Sequence, residues 1–270
     1  MSLHADRGAG TDEPARINAK VWERGNFVRA YAGRTLRPPE VMLLVRYRDA
    51  LAGRLLELGC GAGRLTGYLV DLGAEVHGID LSPTMVEHCR RTYPQADFAV
   101  GDLRDLSAYG TGSFDAVVAA YNVIDVLDDA DRRHVLAEIR RILVDGGLLV
   151  MSTHNRAYAP RVRGPLRPVR GVGTLRLVRG LALAPWRQRR RRRLLHLQRN
   201  ERDYAILNDS AHGYRMLHYY IDRESQARQL AEAGFELLDC LDGDGRPVAA
   251  GEPAATYPDL HYAARAVARG

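Results

Sequence analysis

From Gly53 to Thr153 the apolar residues fall into two alternating patterns. Short continuous runs, at Leu55-Leu56 with Leu58, Val76 to Ile79, Phe98 to Val100, Phe114 to Val118 and Leu148 to Val150, predict strands buried on both faces of a parallel sheet. Between them the spacing is helical. Val135, Leu136, Ile139, Ile142 and Leu143 share one face of a predicted helix over Asp131–Leu143. Ala62–Asp71 predicts another helix, closed by Leu72-Gly73. Ser82-Pro83 opens a third, with serine as its cap, proline at its first position and Pro94 beyond its end. Such alternation implies parallel strands joined by right-handed crossovers. No repeat interrupts it.

The flanks read differently. Residues 1 to about 15 have no period and predict disorder. Ile17, Val21, Trp22, Phe27, Val28 and Tyr31 form a helical face broken at Gly25, and Arg37-Pro38-Pro39-Glu40 opens a better helix. After strand five, residues 156–203 lose the alternation: Pro160, Pro165, Pro168, Pro185 and the run Arg189–Arg193 predict a long insertion with short helices. In a compact fold a connection of that length is usually a lid or a binding element. Tyr214–Ile221 then predicts an extended stretch, Asp222–Ala233 a helix ended by Gly234, Phe235–Leu241 a strand, and His261–Val267 the last strand.

Composition adds limits. A chain of 270 residues, 46% hydrophobic, suits one sizeable core with an appendage. No uncharged apolar run is long enough to cross a bilayer, and polar, acid-bearing Met1–Glu13 is unlike a secretory signal. Cys60, Cys89 and Cys240 are odd in number and match no metal pattern, so we expect reduced thiols in the cytoplasm and no metal. The net charge of +6 hides an asymmetry: residues 156–202 hold fifteen arginines and one acid, Glu201, which leaves the remainder net acidic. Lys20 is the only lysine, so a coding preference for arginine explains part of this.

Chemistry concentrates where the first strand stops. In Arg54–Gly63, Glu57 is followed by Gly59, Cys60, Gly61 and Gly63, which suits a strand, a tight turn and a helix start with bare backbone for a ligand. A dinucleotide fingerprint would need a further glycine where Arg64 or Thr66 stands. Asp80 ends the second strand about twenty residues on, Asp102 follows the third, and Tyr121-Asn122 follow the fourth.

Glu-Leu-Gly-Cys-Gly-Ala-Gly resembles the first motif of class I methyltransferases that use S-adenosylmethionine, and the later motifs keep step with that family over residues 53–155. The resemblance implies a Rossmann-like, doubly wound α/β fold: a seven-stranded, mostly parallel sheet with an antiparallel last strand, an N-terminal helical cover and an inserted lid. It divides the chain into a cover (1–52), a cofactor half (53–155), an arginine-rich acceptor segment (156–221) and the last core elements (222–270). Cofactor contacts carried over are Tyr31, Glu57, Gly59, Cys60, Gly61, Gly63, Asp80 with Leu81 for the ribose, Met85, Asp102 and Leu103 at the adenine, and Tyr121 with Asn122 beside the methionine. His154 and His218 are the candidate bases; Asn155, Tyr214, Tyr219 and Tyr220 are candidate acceptor contacts. Methyl transfer needs alignment first and a base only where the acceptor must lose a proton.

The expected activity is therefore methyl transfer to oxygen or nitrogen of a small molecule such as a sugar or natural-product intermediate, with the oligomeric state left open, a dimer included. Two rival readings stand beside it. The run at 187–193 suits RNA phosphates, and the basic insertion with Leu175, Leu177, Leu181, Leu183 and Trp186 suits a non-catalytic scaffold docked on a membrane or protein.

Overall fold

The computed structural model describes residues 13–24, 28–32, 35–158, 186 and 188–270. Gly25, Phe27, Pro160, Pro165, Pro168, Leu175, Leu177, Leu181, Leu183, Pro185 and Arg187 lie outside them. Among the described residues four helices precede the sheet: α1 (Glu13–Arg24), α2 (Val28–Tyr31), α3 (Pro38–Arg46) and α4 (Arg48–Leu51). The core then runs β1 (Arg54–Leu58), α5 (Thr66–Asp71), β2 (Glu75–Asp80), α6 (Pro83–Thr92), β3 (Asp97–Val100), β4 (Phe114–Ala119), α7 (Asp129–Ile142) and β5 (Leu143–Asn155). It ends with β6 (Arg199–Asn200), β7 (Tyr204–Leu207), β8 (His218–Ile221), α8 (Arg223–Glu232), β9 (Phe235–Leu241) and β10 (Asp259–Ala266).

Strands β3, β2, β1, β4 and β5 are parallel neighbours in that order, and β10 joins the far edge of β5 antiparallel, followed by β9. These are the seven strands expected. Three more come from the insertion, so the described sheet has ten. The reason is the length of β5. Its end passes beyond β4, and His154 and Asn155 pair there with Tyr220 and Ile221 of β8, while β10 holds the other edge. The β6–β8 ribbon thus continues the sheet above the carboxyl end of β4.

Alternation along β1 sorts the two cores. Leu56 and Leu58 pack with Val135, Leu136, Ile139 and Leu230 on one face, and Leu55 packs with Leu43, Leu44, Leu51 and Leu69 on the other. Sequence expectations differ at several ends. Helix α5 starts at Thr66 rather than Ala62, because Gly63 has φ +77°, which no right-handed helix accommodates. Ser82 makes no side-chain cap; its N–H instead donates to Asp80 Oδ1 at 2.8 Å. The stretch predicted as extended from Tyr214 is extended only from His218, since His212, Gly213 and Tyr214 turn with positive φ. Helix α1 begins at Glu13, within the stretch expected to be disordered, and Ala15 is buried in the main core.

Two buried polar groups tie the layers together. Arg132 on α7, 0% exposed, pairs with Asp125 at 2.5 Å and donates to Gln229 (2.9 Å) and Gln226 (2.7 Å) of α8, with its guanidinium 4.6 Å from the Tyr219 ring. Asn18 on α1, 1% exposed, donates to Val126 O at 2.7 Å and Leu217 O at 2.6 Å and accepts from Leu217 N at 3.0 Å. One amide therefore pins the cover to both sides of the strand ends.

Removing one member of a buried pair strands the other charge. Arg132→Met is expected to lower stability by about 3–5 kcal/mol in urea unfolding; a loss below about 1 kcal/mol would show that Asp125 needs no cation. Lys20, exposed on α1, is the only site for endoproteinase Lys-C. Asn18→Ala is expected to speed that cleavage at least about tenfold, since local opening no longer has to break three buried hydrogen bonds.

Candidate active site

The loop after β1 leaves main chain facing open space. At Gly61, φ +55°, an added Cβ would find nothing closer than Gly59 O at 4.0 Å. Its N–H donates to Asp80 Oδ2 at 2.9 Å, so Asp80 is held at the end of β2 with lone pairs to spare on both oxygens. Burial raises the Asp80 pKa, and these two backbone hydrogen bonds oppose the rise. Gly63 has another role: a Cβ there would press on the Tyr93 ring at 2.4 Å, and the residue does not line the cavity. It is a packing glycine, not a ligand contact. Glu57 points the way Leu55 does, towards α5, and Thr66 Oγ1 donates to it at 2.6 Å. Burial pushes its carboxyl up to about 7.

A cavity of about 590 Å³ opens over these strand ends, at the switch point where β1 lies between β2 and β4. Across the strand order its wall runs from Asp80, Leu81, Met85, Asp102 and Leu103 through Glu57, Gly59, Cys60, Gly61, Tyr121 and Asn122 to His154 and His218, with Tyr31 and Trp22 from the cover. Asp102 is not the bare acceptor expected. Arg104 grips its carboxylate at 2.7–3.1 Å and also reaches Asp131 at 3.1 Å. Burial pushes the Asp102 pKa up, but Arg104 more than offsets this and holds it below the usual range.

Tyr121 and Asn122 both adopt left-handed φ, 59° and 60°, an uncommon conformation for non-glycine residues. Asn122 is held there by its N–H to Ser152 Oγ (2.8 Å) and its Nδ2 to Asp259 Oδ1 (2.9 Å). The guanidiniums of Arg37 and Arg64 lie 4.5 and 5.0 Å from the Tyr121 ring. Arg37 pairs with Asp259 at 2.8 Å, and Arg64 holds Glu40 at 2.6 and 2.7 Å.

Both candidate bases face the cavity, their ring centroids 5.1 Å apart, and each has a buried carboxylate beside it. Asp125 Oδ2 accepts the His154 N–H at 2.6 Å and lies 2.8 Å from Nδ1, off the line of a straight hydrogen bond. Asp209 Oδ2 lies 3.2 Å from His218 Nδ1, similarly off line, and accepts from the Tyr220 hydroxyl. Burial raises the Asp209 pKa, but His218 more than offsets this and holds it well below the usual range.

The wall of the cavity differs from the one expected for an acceptor. Tyr214, Tyr219, Tyr220 and Asn155 do not line the cavity. Tyr219 is core: it stacks on Tyr204 at 4.9 Å and donates to Asp129 at 2.6 Å. Tyr220 is fully buried behind His154, and Tyr214 belongs to the left-handed turn. Asn155 is spent on Ala254 O and Tyr257 O. Trp22, Arg37, Arg64, Arg104, His212 and Asp259 line the cavity without having been singled out, because nothing local marks them. Among the described residues no cluster could hold a metal, no helix could cross a membrane, and none of 188–193 lines the cavity.

Residues 55–147 match a family model described as a methyltransferase domain. The chain is 37% identical over 116 residues to a ubiquinone biosynthesis O-methyltransferase of Xanthomonas oryzae pv. oryzae (strain PXO99A), covering 41% of this chain and 47% of the relative. It thus spans about half the length of the curated relatives it matches. Among solved structures, a 1,6-didemethyltoxoflavin-N1-methyltransferase of Burkholderia thailandensis, with 1,6-didemethyltoxoflavin and S-adenosylhomocysteine bound, aligns at TM-score 0.60 and 16% identity over 98% of this chain and 94% of that one. The CcbJ methyltransferase of Streptomyces caelestis aligns at 0.55 and 21% over 97% and 100%. These likenesses show the fold, and the open backbone at Gly61 beside the lone pairs of Asp80 suits a nucleoside. Residues 55–147 thus match a methyltransferase domain, and the fold is that of the solved methyltransferases aligned with it.

Proposed function

We propose that this protein methylates an oxygen or nitrogen of a small molecule. The observation that carries the reading is one cavity that holds both the Gly61–Asp80 nucleoside cradle and the His154–His218 pair. Asp80 would accept from the ribose hydroxyls, the main chain at Gly59–Gly61 would hold the nucleoside, and Leu81, Met85 and Leu103 would offer apolar surface to the adenine. Glu57 would attract the ammonium of the methionine moiety, and Arg37 its carboxylate. When bound, the cofactor supplies a methyl group already activated by its sulfonium, so the protein's task is to orient the acceptor, exclude water and receive a proton.

The inserted ribbon and the cover close the other end. Helix α1, through Ala15, Ala19 and Trp22, and the ribbon, through His212 and His218, shape the acceptor space. The curated relatives are named as O-methyltransferases, which supports oxygen over nitrogen. No observation favours the RNA or scaffold reading over this one.

Two measurements test it. Calorimetric titration with S-adenosylhomocysteine should show Asp80→Ala weakening the affinity by about 10- to 100-fold, the scale of losing hydrogen bonds to a charged group; unchanged affinity would sink the assignment. Glu57 is neutral below about 7 and ionised above it, and only the carboxylate attracts an ammonium. Affinity is therefore expected to climb from pH 6 to 7.5, and the climb should vanish in Glu57→Gln.

A further inference from the structure

Among the described residues six aromatic rings line the cavity in one unbroken arc. From the end of β4 to the end of β5 it runs Tyr121, Tyr31, Trp22, His212, His218 and His154. Successive centroids are 6.1, 5.8, 5.0, 6.1 and 5.1 Å apart. The rings come from four separate parts of the chain: the cover, the turn after β4, the β5 tip and the inserted ribbon. The tyrosine and tryptophan contacts in the arc are edge-on, and the two contacts of His218, with His212 and His154, are tilted at 46°. An apolar guest with flat faces matches such a surface better than a saturated one.

The two ends of the arc differ in the groups that flank them, two arginines each paired with a carboxylate at one and imidazoles at the other. At Tyr121 stand the guanidiniums of Arg37 and Arg64. At the other end stand imidazoles backed by carboxylates: His154 by Asp125, and His218 by Asp209. The groups facing the two imidazoles are Asp125 from the turn after β4, itself paired with Arg132 of α7, Asp209 and Tyr220 from the ribbon, and His212 from the turn before β8. A cationic guest would meet arginines and, when cofactor is bound, a sulfonium. A neutral guest with a proton to give finds imidazoles held against carboxylates.

We infer that the acceptor is a planar aromatic or enolic hydroxyl, seated within the arc with its O–H at the His154–His218 end. This rests on the methyltransferase reading and narrows it. The O–H bond breaks with its electron pair left on oxygen, the proton goes to an imidazole nitrogen, and the neighbouring carboxylate balances the imidazolium charge. The oxygen is then the nucleophile.

The chain reports on this site directly. It has two tryptophans, and Trp186 is 67% exposed and outside the cavity, so Trp186→Phe leaves Trp22 as the sole reporter. In that variant, saturated with S-adenosylhomocysteine, 4-nitrophenol is expected to quench Trp22 saturably. It should bind at least about tenfold more tightly than nitrobenzene or 4-nitrobenzylamine, the scale of one charge-assisted hydrogen bond. Cyclohexanol should not displace it. Bound 4-nitrophenol should also show increased phenolate absorbance, lost in His154→Gln with His218→Gln while cofactor-product affinity persists. Equal binding of the amine, displacement by cyclohexanol, or no saturable quenching in a protein that still binds S-adenosylhomocysteine would overturn the acceptor assignment alone. Failure to bind S-adenosylhomocysteine would remove the methyltransferase reading beneath it.

Discussion

A carboxylate with no exposed surface, Asp125, sits where the turn after β4, α7 and the tip of β5 meet. Removed from water it is tolerable only beside a cation, and Arg132 supplies one from α7. Arg132 is itself buried, so its remaining donors must be met, which draws Gln226 and Gln229 of α8 against α7. On the other side Asp125 accepts the backbone of His154 and so sets where the tip of β5 lies. The need to compensate one charge thereby links two helices, the turn after β4 and the strand that carries a candidate base.

The same rule shapes the cavity rim. Asp259 is met by Arg37 and Asn122, Glu40 by Arg64, and Asp102 by Arg104. His261 stands beside Glu40, Arg37, Asp259 and Arg64, and burial holds it down at about 4, so it stays neutral at physiological pH. Glu57 is different: Thr66 donates to it, and burial leaves it close to the point of ionisation. The cavity therefore has Asp102 and Asp259 held by arginines and one acid, Glu57, close to its point of ionisation.

Glycines in a single motif serve different ends. Gly61 leaves space for a ligand, whereas Gly63 leaves space for the Tyr93 ring and stops α5 from starting earlier. The two are indistinguishable in the sequence, since each is simply a residue without a side chain. Likewise Tyr219 and Tyr31 are both aromatics near a motif. One is stacked in the core and the other lines the cavity, according to which partner reaches it.

The sequence by itself determined the strands of the cofactor half, their order of chemistry, and the residues at their carboxyl ends. Leu55 to Leu58, Asp80 and Gly61 act through neighbours within a few residues or through the regular alternation of a parallel sheet, and such short-range relations are written in spacing. The last apolar run after β9 marked β10 as a strand, while its antiparallel pairing was implied only by the family resemblance. Only the tertiary structure decided the acceptor end. Asn18 meets Leu217, Arg132 meets Gln226, and Trp22 meets His212 across separations of 90 to 200 positions or so, and no local period records such meetings. Nor could spacing show that β5 outruns β4, which is what gives the inserted ribbon an edge to pair with and brings His218 to His154. Packing and charge compensation are properties of partners, and partners are chosen only when the chain has folded.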